Sequence, residues 1–213
     1  FEHFAQASCG PCALQNPIFE PIRLNNIGNM NHVAVHTSWP GFDPMYNANT
    51  VEADAMVTLY GISGVPSMVL NGTNIGGPAG VTQATIDNAA SDCSPIRVRV
   101  TETGTTTRNV TITVESVGTP PSGSHVVRAF VVEDPLDYSS PPGSNGETEF
   151  PNVFRETLTG TGGAALSLPA MGSSTDLTYS YTVDPSWDAA NVFVIAYVAN
   201  SSTREVLNSG SSF

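Results

Sequence analysis

The hydrophobic rhythm of the chain changes near its middle. Up to about residue 93, short apolar runs alternate with longer amphipathic ones. Phe1–Phe4 reads as the end of a strand, and Cys9 to about Asn26 as a helix that stops near Gly28. His32–Thr37 (HVAVHT) is a short apolar strand. Asn49–Tyr60 carries Val51, Ala55, Met56 and Leu59 at i, i+4, i+5 and i+8, which predicts a helix with those four on one face. Ser67–Leu70 is a strand that turns at Asn71-Gly72, and Thr82 caps a last helix over Thr82–Ala90. Strands alternating with helices predict an α/β layer.

From Ser94 onward the period is two. Val98 and Val100 alternate with polar residues, as do Val110, Ile112 and Val114, then Val126, Phe130 and Val132, then Leu177, Tyr179, Tyr181 and Val183. Turn residues separate these runs at Gly104, Thr119–Gly123, Gly160–Gly163 and Asp184-Pro185. About seven strands in roughly 120 residues without a helix predict an antiparallel β-sandwich of immunoglobulin-like type. The expected domains are therefore 1–93 and 94–213, with the boundary near Cys93-Ser94-Pro95.

Composition narrows the function classes. The net charge is −12, from 19 acidic and 7 basic residues, and all seven basic residues are arginine. The two halves carry −6 each: 7 acidic and 1 basic in 1–93, 12 and 6 in 94–213. No basic patch is available to neutralise phosphates, so nucleic acid is excluded as a partner, and an anionic membrane surface likewise. The longest apolar run, Val192–Ala199, has strand length, whereas a spanning helix needs about 20 residues. The abrupt start on FEHF leads us to expect that a leader precedes it in the natural protein. Few charges and much Ser, Thr, Asn and Gly suit a secreted or surface protein.

The candidate chemistry sits in Ser8-Cys9-Gly10-Pro11-Cys12. Cys9 falls at the start of a helix, where free N–H groups and the positive end of the dipole stabilise a thiolate. Cys12 follows one turn later, placed to attack a mixed disulfide on Cys9. Pro11 is tolerated there because the first turn needs no N–H at that position. A metal site would need two more ligands, and His32, His36 and His125 lack ligand spacing to the pair. No metal or cofactor is expected. A structural clip stays open, although so short a loop gains little from closure.

The pair has company. Pro17 lies inside the first helix, and YGISGVPSMVLNG follows at 60–72. Together these segments resemble the thioredoxin family over residues 1 to about 92. CGPC matches that family's active-site tetrapeptide, and GISGVPS resembles the segment bearing its cis-proline. The resemblance implies that Cys9 is the nucleophile, Cys12 the resolving thiol and Pro66 a cis-proline beside them. The Val65 backbone, with Gly10 and Pro11, would receive a polypeptide substrate as an added strand. Two positions depart from the family: Ser8 stands where it has Trp, and His3 where it has a buried Asp. His3 is thus a candidate base for Cys12, or simply a strand residue. The insert TSWPGFDPMYNAN at 37–49 brings Trp39, Phe42 and Tyr46, either as a peptide groove or as core cover.

The whole chain resembles a narrower group. EHFAQASCGPCA, GSNGETEFPNVFRETLTG (143–160) and SYTVDPSWDAANVFVIAYVAN (180–200) resemble the twenty-eight-kilodalton outer-membrane-protein-related family of bacterial surface proteins. That implies export to the periplasm or outer surface of a Gram-negative cell, with polypeptide thiols or disulfides and other envelope proteins as partners. Two functions remain in play: thiol–disulfide exchange, and a surface binding or structural module with a locked disulfide. Asp134, Asp137, Glu147 and Glu149 flank a long loop and read as a solvated acidic loop or a calcium site. Cys93 reads as an inert thiol or as the source of an intermolecular disulfide.

Overall fold

Four consecutive residues buried on both faces open the fold as strand β1 (Glu2–Ala5). The computed structural model describes all residues, Phe1–Phe213. Helix α1 (Gly10–Asn25) follows, with Pro17 and Pro21 inside it. Next come β2 (Val33–His36), the short α2 (Pro44–Ala48), α3 (Thr50–Tyr60), β3 (Ser67–Leu70), β4 (Thr73–Gly76) and α4 (Gln83–Ser91). Local chemistry fixes the helix ends. The Asn49 side chain accepts the Glu52 N–H, Gly61 ends α3 at φ 63°, and Thr82 and Thr85 form a reciprocal capping box. The buried positions of α3 are Ala53 and Met56, while Val51 is exposed, so the predicted apolar face is rotated.

The remaining strands are β5 (Ile96–Gly104), β6 (Thr107–Ser116), β7 (His125–Glu133), β8 (Leu136–Asp137), β9 (Glu149–Phe150), β10 (Val153–Thr157), β11 (Ala164–Leu166), β12 (Ser174–Thr182), β13 (Val192–Asn200) and β14 (Val206–Ser211). The protein is mostly β. It forms two compact units, which do not coincide with the two halves of the sequence. Phe1–Asp92 is joined by Asp134–Arg155, and Cys93–Glu133 by Glu156–Phe213. The segment expected to stay in the second half therefore returns to the first. The cause is visible in its contacts: Phe150 and Val153 pack with Ala7 and Met45, and Asp134 pairs with Arg23 at 3.3 Å.

In the first unit the sheet is mixed. β1 runs parallel to β2, with His3 opposite Ala34 and Ala5 opposite His36. It runs antiparallel to β3, with His3 opposite Met68, and β3 pairs antiparallel with β4. Val153 of β10 pairs in parallel with Ala34. Phe19, Met68, Val81 and Ile86 form one apolar cluster between helices and sheet.

In the second unit β6 lies between β5 and β12, all antiparallel. β13 lies between β7 and β14, also antiparallel, and β11 pairs with β7. One apolar core takes alternate residues from both groups, among them Val98, Val100, Ile112, Val114, Val194 and Val198. β7 departs from the expected alternation. Val127, Ala129 and Val131 enter this core, yet Phe130 and Val132 on its other face are buried too.

Candidate functional site

The chain leaves β1, turns through Gln6–Ser8 and enters α1 at Cys9. Cys9 has extended backbone angles and acts as the helix N-cap, its sulfur accepting the Cys12 N–H at 3.1 Å. Cys9 and Cys12 are joined as a disulfide. Ala5 and the partly buried Val65 pack around them, and the Val65 carbonyl oxygen lies 3.6 Å from Cys9 Sγ. The Val65–Pro66 peptide is cis, as are Trp39–Pro40 and Asp134–Pro135. Gly10 and Pro11 face solvent, but the sulfurs do not: Cys9 is 1% exposed and Cys12 0%.

Two segments hold the loop before Cys9. The first is the aromatic insert. Ala7 N–H donates to Asp43 Oδ2 at 2.7 Å, Ser8 Oγ–H to the Phe42 carbonyl at 2.8 Å, and Gln6 Nε2 to the Gly41 carbonyl at 2.5 Å. Asp43 also accepts the Met45 and Tyr46 amides, capping α2, and takes a bond from His36 Nδ1 at 2.6 Å. Burial alone would raise this carboxyl, but the His36 charge and the hydrogen bonds from His36, Ala7 and Tyr46 hold it below its usual 3.8. Sequence reading missed Asp43. Its signal was available, since Asp before Pro at a helix start is an N-cap pattern.

The second segment is a strap, residues 143–147. Asn145 N–H donates to the Ala7 carbonyl at 3.1 Å, and Ser144 N–H to Ser8 Oγ at 3.0 Å. Asn145 Nδ2 reaches the carbonyls of Gln6 (3.3 Å) and Cys9 (3.4 Å) and the carboxylate of Glu147. Glu147 is held in turn by Asn16 Nδ2 at 2.8 Å. Gly143 lies so close that an added Cβ would sit 2.2 Å from the Ala7 carbonyl oxygen.

No family model matches the chain, and no curated protein matches it. Solved structures do. The chain shares its fold with HBP35. That protein, from Porphyromonas gingivalis, aligns over 99% of this chain and 73% of its own at TM-score 0.74 and 18% identity. A domain of the outer membrane lipoprotein Omp28 from Porphyromonas gingivalis aligns over 56% of this chain and 88% of its own, at TM-score 0.42 and 21% identity. At 18% identity the likeness to HBP35 is one of fold.

The structure brings Cys9, Cys12, Val65 and Pro66 together at one end of α1. Phe42 is 65% exposed with its carbonyl on Ser8, and Trp39 is half-buried. His3 hydrogen-bonds elsewhere: its Nδ1 lies 3.4 Å from His32 Nε2, and His32 Nδ1 lies 3.2 Å from Asn152 Nδ2. Burial first, then the charge at His36, lowers His3 from 6.5 to about 3. Burial and the nearby His3, Arg23 and N-terminal charges hold His32 well below 6.5. The acidic loop residues disperse. Asp134 serves Arg23 and the Asn152 N–H, Glu147 serves Asn16, and Asp137 and Glu149 face each other across β8 and β9. No group of three His, Cys, Asp or Glu is arranged to hold a metal ion. Cys93 is a free, exposed thiol. No helix is long and apolar enough to cross a membrane.

Proposed function

We propose that this chain is an exported thiol–disulfide exchange protein of a Gram-negative envelope, acting on polypeptide thiols and disulfides. Its first unit is read as a thioredoxin-like domain, and its second as an immunoglobulin-like sandwich serving as spacer or docking module. The observation that carries the reading is the disulfide at the N-terminus of α1 with the Val65 carbonyl beside Cys9 Sγ. The order of elements supports it: β1 is parallel to β2 and antiparallel to β3, with α1 after β1 and the two helices α2 and α3 between β2 and β3.

In the exchange, a substrate thiolate attacks Cys9 Sγ, forming a mixed disulfide and expelling Cys12 as thiolate. A second substrate thiolate attacks the substrate sulfur of the mixed disulfide, closing the substrate disulfide and releasing Cys9 as thiolate. The two cysteines gain the two electrons that the substrate loses. The reverse sequence reduces a substrate disulfide, with Cys9 attacking and Cys12 resolving. The helix N-terminus favours the Cys9 thiolate in both directions. Gly10, Pro11 and the Val65 backbone form the substrate edge, with Trp39 and Phe42 as its apolar flank. His3 pairs with His32 and holds a proton poorly, so the exchange proceeds without it as a base for Cys12.

Trapping tests this reading. Cys12→Ser, reduced and mixed with oxidised peptide or envelope extract, is expected to accumulate mixed disulfides on Cys9. The native pair is expected to titrate reversibly in glutathione buffers, between about −120 and −270 mV. A pair that resists reduction until the protein unfolds, with no trapped species, refutes exchange. The second reading, a surface module with a locked disulfide, is favoured by one observation: both sulfurs are buried.

A further inference from the structure

Away from the sulfurs, the first unit contains a cavity of about 340 Å³ with its own chemistry. Period-two alternation builds its floor: His3 and Ala5 of β1, with His32, Ala34 and His36 on and before β2, share one sheet face. The two alanines leave the space between the histidines. Asn16, Phe19 and Glu20, at i, i+3 and i+4, present one face of α1 as a wall. Residues 146–151 form the other wall, including Glu147, Glu149 and Phe150. The volume is that of a site for a small organic molecule.

Two residues lining this cavity each carry a buried polar atom without a hydrogen-bond partner: His3 Nε2 and Asn16 Oδ1. His3 is only 4% exposed, so the protein cannot satisfy it from bulk water. Native folds rarely leave such atoms idle unless a ligand or an ordered water uses them. The electrostatics select among ligands. Three carboxylates line the cavity, and no lysine or arginine does. Glu20 is engaged by Arg23 and Glu147 by Asn16, whereas Glu149 is exposed. His3 and His32 are both held neutral by burial. An anion finds no counter-charge here, and a cation finds carboxylates on both walls, beside Phe19 on one and Phe150 on the other.

We infer that this cavity binds a small organic cation, a protonated amine on a flat apolar body. Its N–H groups donate to Asn16 Oδ1 and to the Glu149 side, and its body lies against Phe19 and Phe150. The histidine relay accommodates it. With Asn152 Nδ2 donating to His32, His32 donates to His3 and Nε2 of His3 carries the hydrogen. Turning the Asn152 amide by half a turn reverses both bonds and offers His3 Nε2 as an acceptor for the ammonium. The inference does not rest on the thiol exchange, since neither cysteine lines the cavity.

The test uses the full chain with its disulfide intact, titrated at pH 7 with phenethylammonium, 2-phenylethanol and 3-phenylpropionate. The imidazole NMR signals of His3 and His32 are the readout. The amine is expected to shift both saturably at millimolar concentration. The alcohol is expected to need about tenfold more, and the carboxylate to shift neither. Glu149→Gln, at an exposed position, is expected to weaken the amine about two- to fivefold and to leave the alcohol unchanged. His3→Gln removes the relay and is expected to weaken the amine further, with its urea midpoint checked to separate binding from folding. Equal binding of amine and carboxylate, or no saturable shift of the His3 and His32 signals, overturns the inference.

Discussion

If the strap over Gln6–Cys9 guards the disulfide, loosening it must speed reduction of a folded protein. Asn145→Ala is the mildest way to loosen it. The backbone bond from residue 145 to the Ala7 carbonyl stays, and the side-chain bonds to the Gln6 and Cys9 carbonyls and to Glu147 go. The two carbonyl bonds are long, at 3.3 and 3.4 Å, so together they contribute about 1–2 kcal/mol rather than the upper end for two good bonds. At 1.4 kcal/mol per factor of ten, the opened strap becomes about five- to thirtyfold more populated. Where opening and closing are fast, the rate of attack by a small reductant rises by the same factor.

The assay follows disulfide loss under native conditions with a phosphine reductant, quenched by thiol alkylation and read by mass. Gly143→Ala is the stronger perturbation, because its Cβ would meet the Ala7 carbonyl at 2.2 Å and must push the strap away. Both variants should reduce faster than the native chain, Gly143→Ala the faster of the two. Urea midpoints must stay near the native value, so that global unfolding is not the route. Native-like rates in both variants would refute the idea that residues 143–147 control access to Cys9.

Acid should weaken the fold through the buried histidines. His3 titrates at about 3 folded and 6.5 unfolded, so the unfolded chain binds more protons and stability is lost as pH falls from 6.5 toward 3. At pH 5 that loss is about 2 kcal/mol from His3 alone, with His32 adding in the same direction, and His3→Gln should flatten the dependence of the urea midpoint on pH. Asp43→Asn should cost about 1–3 kcal/mol, since a neutral amide replaces the buried carboxylate that accepts from His36, Ala7 and the α2 amides, and thermal unfolding would read it. The Asp43 contribution is present above 3.8 and disappears as pH falls through its lower folded value. Cys93→Ser should leave the Cys9–Cys12 potential unchanged and remove any dimer band on a non-reducing gel.

What the sequence disclosed depended on how local the signal was. Cys9, Cys12 and the Val65-Pro66 pair sit in short motifs whose geometry is set within a few residues, and Val65 packs against the two cysteines. Val192–Ala199 is apolar throughout and forms a strand buried at every one of those positions. The helix face of 50–60 was misplaced because Val51 lies in the first turn, where exposure costs little and periodicity is poorly anchored. The return of 134–155 to the first unit had no periodic signature at all. The strap is held chiefly by backbone amides and by Asn145, and the apolar surface that the returning segment buries in that cluster comes from scattered residues, Phe150 and Val153 fully and Leu136 and Tyr138 in part. Asp43 was legible as a cap, but not as the partner of His36 and Ala7, which depends on how β2 and the 6–8 turn meet.

The redox potential separates a clip from an oxidising exchange site by its sign relative to the unfolded chain. A disulfide that only closes a loop stabilises the fold, and the same free energy lowers its potential below that of the unfolded pair. For the short loop between Cys9 and Cys12 the closure contributes about 2 kcal/mol, which corresponds to a potential about 40 mV lower. An oxidising exchange site works in the opposite direction. The α1 N-terminus and the Cys12 N–H, aimed at Cys9 Sγ at 3.1 Å, stabilise the thiolate that reduction creates. Stabilising the reduced form raises the potential, as in strongly oxidising exchange proteins. The measurement is a pair of glutathione titrations, one on the native chain and one in denaturant. A native potential above the denatured value identifies a site built to exchange electrons. A native potential below about −300 mV, with no mixed disulfide trapped on Cys12→Ser, identifies a locked clip and removes the exchange reading.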